Sequence, residues 1–99
     1  MAEDWYEEAE VEDKVEWAEE WEPGYNVDLN WLAGDVERDV REALAINKNI
    51  PIPILEKLAK DEVWLVRSAV SRNPNTPKAI LDKLEEESAK RKEEFYKNL

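Results

Sequence analysis

The chain has 99 residues, 42% of them hydrophobic, a formal net charge of −11, and neither Cys nor His. That length allows one small domain, burying roughly two-thirds of its unfolded-chain surface. The missing residue types exclude a disulfide framework, a thiolate metal site and any triad built on His or Cys, and no stretch approaches the roughly 18 apolar residues of a membrane helix.

The charge is unevenly placed. Residues 1–30 hold twelve carboxylates and one base, Lys14, whereas residues 31–99 hold thirteen of each. Such asymmetry points to an acidic arm or face with its own partner. It divides the chain into residues 1–26, an acidic Trp-rich arm or degenerate cap, and residues 27–99, a helical body. The opening Met-Ala-Glu-Asp-Trp-Tyr-Glu-Glu lacks the basic and apolar regions of a signal peptide, so a cytoplasmic location is the expectation.

In the acidic third, Trp5, Tyr6, Trp17 and Trp21 are interleaved with the carboxylates. A purely solvating tail carries few aromatics. Val11, Val15 and Ala18 have helical spacing, and Trp17 with Trp21 forms an i, i+4 pair, so a helix is predicted near residues 10–21. Pro23-Gly24 ends it. This helix is read as a degenerate capping repeat, an acidic recognition element or both; a disordered arm is the third alternative.

From Leu29 to Leu84 the chain matches itself at a shift of 26. Leu29, Leu55 and Leu81 coincide, as do Leu32, Leu58 and Leu84; Val40-Arg41 falls on Val66-Arg67, Ala43 on Ala69, Asn47 on Asn73, and Pro51 on Pro77. A period of this size signals stacked units that cannot bury their apolar faces alone. Each unit reads as two short helices. Asp35 and Asp61 are expected as N-caps of the first helix. Asn47 and Asn73 are expected to end it, Asn being tolerant of the left-handed conformation. Pro51 and Pro77 suit the first position of the second helix, with Thr76 a fair cap before Pro77 and Ile50 a poor one.

The run from Asp61 to Leu84, with Val66-Arg67, Ala69-Val70, Asn73-Pro74, Thr76-Pro77 and Ile80-Leu81, resembles the leucine-rich repeat variant family, whose pattern is roughly V-R-x-A-V-A-x-N-P-x-T-P-x-x-L-L. The likeness covers about residues 27–84; the earlier copy departs at Lys48 and Ile50. It implies an all-α fold: a small right-handed α-solenoid of about two 26-residue helical-hairpin repeats, with a degenerate N-terminal cap and a long C-terminal helix. The iron–sulfur module of some members does not transfer, because it needs cysteines.

Three further features need a destination. Val63-Trp64-Leu65 has no apolar counterpart at Glu37-Arg38-Asp39. It packs under the C-terminal helix or against the N-terminal segment, or it is an exposed contact patch or homodimer surface. Arg41 and Arg67 recur, either as an anion-binding ladder or as ion pairs with Asp35 and Asp61 that stitch the units. After Leu84 no breaker appears, so the helix is predicted to run to about Tyr96, with i, i+4 pairs Glu86–Lys90 and Glu87–Arg91. Phe95, Tyr96 and Leu99 close the core or hold a partner.

Without His, Cys, a phosphate loop or a calcium loop, an enzyme is not expected, nor is a cofactor or metal. The expectation is a non-catalytic protein–protein interaction module whose N-terminal third binds a basic partner surface through Glu16, Trp17, Glu19, Glu20 and Trp21, with Trp64 a further contact. The alternative is a nucleic-acid mimic, like phage-borne anti-restriction and anti-CRISPR inhibitors, that blocks a DNA- or RNA-binding machine in a host cytoplasm. Direct nucleic-acid binding needs a basic patch and is not expected. A homodimer through Trp64 or the C-terminal helix is the second partner considered.

Overall fold

The computed structural model describes residues 4–97. Among them the chain is all helical: α1 Asp4–Glu7, α2 Val11–Glu20, α3 Leu29–Ala33, α4 Arg38–Ala45, α5 Ile52–Leu58, α6 Trp64–Arg72 and α7 Lys78–Lys97. None of these helices is long and apolar enough to cross a membrane. Helix α2 packs on α4, and α4 packs on α6; α3 touches α4 and α5, α5 touches α6, and α7 touches α6.

Many residues paired by the 26-residue shift share a fate, although Leu55 is fully buried where Leu29 and Leu81 are half-buried. Leu32, Leu58 and Leu84 are buried, as are Val40 and Val66, Ala43 and Ala69, Leu44 and Val70, and Ile54 and Ile80. The first helices are eight to ten residues long. Helices this short are marginal alone, so their apolar faces must be buried to hold them.

The turns between helices depart from expectation in ways that have physical causes. Asp35 and Asp61 are not the capping residues of α4 and α6. Each accepts a backbone N–H two residues on, from Glu37 and Val63 at 2.9 Å, making an Asx turn that sets up the helix one residue later. Asn47 and Asn73 do not adopt a left-handed conformation; no non-glycine residue among those described has positive φ. Their side chains instead accept from Asn49 N and Asn75 N and donate into neighbouring backbone. Pro51 lies one position earlier than expected, as the extended residue before α5, and Pro53 occupies the first turn where its missing N–H costs nothing. Thr76 is no cap: its hydroxyl donates to Val70 O at 2.6 Å, and the side chain is buried. Ile50, at the same register, is simply core.

Helix α2 ends at Glu20, and the chain reverses through Glu22-Pro23-Gly24-Tyr25, with Tyr25 N donating to Glu22 O at 2.9 Å. Gly24 has φ of +95°, which a type II turn requires at that position. Helix α3, which lacks the proline of later second helices, is capped by Asp28 accepting from Asn30 N at 2.8 Å.

Helix α7 runs from Lys78 to Lys97, close to the expected end. Only its first half is packed: Ile80 and Leu84 are buried and Leu81 half-buried, while every residue from 85 to 97 is exposed. Phe95 and Tyr96 therefore do not close the core; they are 63% and 68% exposed, their rings 5.7 Å apart. Leu99 lies outside the described residues. Of the expected pairs on α7, Glu86–Lys90 is present at 4.0 Å.

Candidate protein-binding surface

Helix α2 owes its exposed face to its composition. Lys14 and Ala18 are buried against the body, and Val11 and Val15 are half-buried. Glu12, Asp13, Glu16, Glu19 and Glu20 are exposed. Across residues 4–28, all eleven carboxylates are exposed, while the one base, Lys14, is buried. None of the eleven forms an ion pair among the described residues. The accessible charge of this third is therefore purely negative.

The buried base is consumed by Asp35. Lys14 Nζ lies 3.3 Å from Asp35 Oδ2, which also accepts a hydrogen bond of 2.6 Å from the Tyr6 hydroxyl. Lys14 Nζ stands 4.7 Å from the Tyr6 ring centroid as well. Burial first, and then the Asp35 carboxylate, push the Tyr6 hydroxyl far above its ordinary value of 10. One unit later Arg41 Nε contacts Asp61 Oδ2 at 2.7 Å, and Arg41 Nη1 donates to Asp35 O at 2.6 Å. The Arg41 pair thus joins helix α4 to the turn before α6, not to Asp35's own carboxylate. Arg67 Nη1 repeats the backbone contact, to Asp61 O at 2.5 Å, without a carboxylate partner among the described residues.

The candidate partner residues separate into two kinds. Glu16, Glu19 and Glu20 are exposed on α2, with Glu20 accepting from the Tyr25 hydroxyl at 3.2 Å. Burial, and then Glu20 and Glu16, push that hydroxyl's pKa up. Trp17 and Trp21 are half-buried and built into the fold. Trp17 packs edge-on to Trp5 at 5.7 Å and tilted against Tyr6 at 6.0 Å. Trp21 Nε1 donates to Val27 O at 3.2 Å, and the Trp21 carbonyl accepts from Asn47 Nδ2 at 2.8 Å. Trp64 stands apart on α6, 64% exposed.

Trp5, one of the aromatics interleaved with the carboxylates, was not among the candidate partner contacts read from the sequence. It lies on the outside of the cluster, touching Trp17 and Trp31 edge-on, and is 48% exposed. Helix α1, which holds it, is four residues long and has no periodicity that sequence could reveal; the one available signal was the adjacency of two aromatics in an acidic run. The carboxylates do not converge on a metal site among the described residues.

No protein-family model matches this chain, and no curated protein or solved structure is significantly similar to it.

Proposed function

We propose that this chain is a non-catalytic binding module whose acidic first third docks on a basic protein surface. The observation that carries the reading is the eleven exposed carboxylates of residues 4–28 beside no exposed base. A face of one sign attracts a partner of the other over the screening length of about 8 Å at physiological salt. Trp5 supplies an exposed aromatic edge next to those charges, and aromatics are the commonest anchors of protein interfaces.

The scaffold belongs to the same proposal. It is a short right-handed α-solenoid of the leucine-rich repeat variant kind, with α1 and α2 as a degenerate cap. Support comes from the shared burial of residues 26 apart and from the amides of Asn47 and Asn73, which each reach a carbonyl 26 residues back. A cytoplasmic location goes with this reading.

The polyanionic face also favours a second form of the proposal, in which the carboxylates imitate phosphates and the protein blocks a nucleic-acid-binding groove. One experiment tests both. The full chain and a variant with Glu12, Glu16, Glu19 and Glu20 changed to Gln are used as baits, and proteins captured only by the wild type are titrated with nucleic acid. Loss of capture by the variant supports the acidic face, and competition by nucleic acid selects mimicry. Equal capture by both baits contradicts the proposal.

A further inference from the structure

We propose that the exposed half of α7 is a dimerisation helix that pairs antiparallel with the same helix of a second copy. The proposal is independent of the acidic face.

Residues 85–97 extend roughly 20 Å as helix with every side chain exposed. A helix segment of this length is marginal in water unless it packs against something. Beside its root is a groove of about 650 Å³ between α6 and α7, lined by Trp64, Arg67, Leu81, Leu84, Ser88 and Lys92. Helix α6 is the last of the α2–α4–α6 row, and among the described residues α7 accompanies its outer side.

The sequence of the helix says what fits there. Residues 85–92 read Glu-Glu-Glu-Ser-Ala-Lys-Arg-Lys. Turned end for end about the Ser88–Ala89 midpoint, Glu85 faces the second copy's Lys92, and Lys92 its Glu85. At the crossing sit two small residues, which permit close approach. The same operation places Tyr96 of one copy against Leu81 of the other. Leu81, Glu85, Ser88, Lys92 and Tyr96 follow each other at intervals of three or four, so they share one face of the helix. Leu81, Glu85, Ser88 and Lys92 of that face line the groove. A single face that complements itself in charge, size and apolar placement is what a twofold interface requires.

Long-range charge allows the association at this end and opposes it at the other. Helices α2 and α6 are the two ends of the row. Pairing through α7 leaves the two acidic thirds on opposite ends of the dimer, beyond the screening length.

The test is sedimentation equilibrium of the full chain over micromolar to millimolar concentration. The expected result is an apparent mass rising from 11.6 kDa toward twice that value. Two charge variants then fix the register: Glu85→Lys, and Lys92→Glu. Each alone should stay at the monomer mass, with circular dichroism confirming that the body is folded. Their equimolar mixture should regain the dimer mass, because the swapped pairs are again complementary. A wild type that remains monomeric throughout, or charge variants that dimerise as the wild type does, overturns the proposal.

Discussion

Asn73 donates its side-chain amide to the backbone carbonyl of Asn47 at 3.0 Å, and Asn47 in turn donates to the carbonyl of Trp21 at 2.8 Å. Both asparagines are buried, and each also holds a second carbonyl, Ala45 O and Ala18 O respectively. Their oxygens meanwhile accept from the backbone two residues on. One side chain thus closes its own turn and satisfies the helix end before it, a demand that leaves no other residue type of that size suitable.

Removing Asn73 strands buried carbonyls and an N–H, each worth about 1–3 kcal/mol when left unpaired. Asn73→Ala and Asn47→Ala should therefore each lower unfolding free energy by at least that much in urea denaturation. Asn26→Ala is the control, since Asn26 is exposed and its side chain makes no hydrogen bond among the described residues. Equal midpoints for Asn73→Ala and Asn26→Ala would contradict the structural role.

The apolar register makes a parallel demand. Leu55 and Leu58 are fully or almost fully buried, and Lys57 between them is exposed. Leu55→Ala and Leu58→Ala should each cost about 2–5 kcal/mol. Lys57→Ala should change the melting temperature little.

The two arginines at one register should differ. Arg41 meets the Asp61 carboxylate with both side chains largely buried, whereas Arg67, among the described residues, keeps only its backbone contact. Breaking the first pair leaves Asp61 uncompensated, at a cost on the order of 3 kcal/mol. Arg67→Ala should cost clearly less. Thermal unfolding of the two variants side by side measures the difference.

Tyr6 gives the fold a pH limit. Its hydroxyl is held above the ordinary value of 10, mainly by burial and then by Asp35. The folded state keeps that proton more tightly than the unfolded state does, so the contribution is complete below pH 10 and is lost as pH rises beyond it. Wild-type stability should fall above pH 10, and Tyr6→Phe, which has no proton to lose, should show a flatter alkaline limb. Parallel limbs in denaturant titrations at increasing pH would remove Tyr6 from that role.

The helical class and the core positions were legible in the sequence because residues such as Val40 and Val66 meet the same surroundings and so obey the same constraint. The helix over residues 10–21 and the length of α7 were legible for a simpler reason, apolar spacing in one case and the absence of a breaker in the other. What escaped was set by contacts distant along the chain. Tyr6 reads only as one of several aromatics interleaved with carboxylates, yet Asp35, 29 residues away, draws it inside. Trp17 and Trp21 read as an i, i+4 pair of candidate partner contacts, but the cluster with Trp5 and the bond to Val27 O absorb much of their surface. Glu16, Glu19 and Glu20 were legible as exposed because a carboxylate is seldom buried without a partner. Trp64 allowed both readings, since hydrophobicity alone does not say whether a neighbour exists to cover it; the structure leaves it exposed.

The acidic face is tested most directly by the association kinetics of the full chain with a partner it captures, measured across a salt series. Replacing Glu12, Glu16, Glu19 and Glu20 with Gln should slow association about tenfold or more at low salt. The wild-type rate should fall steeply with salt toward that of the variant. Rates that are the same for both proteins and indifferent to salt would contradict a function built on the acidic first third.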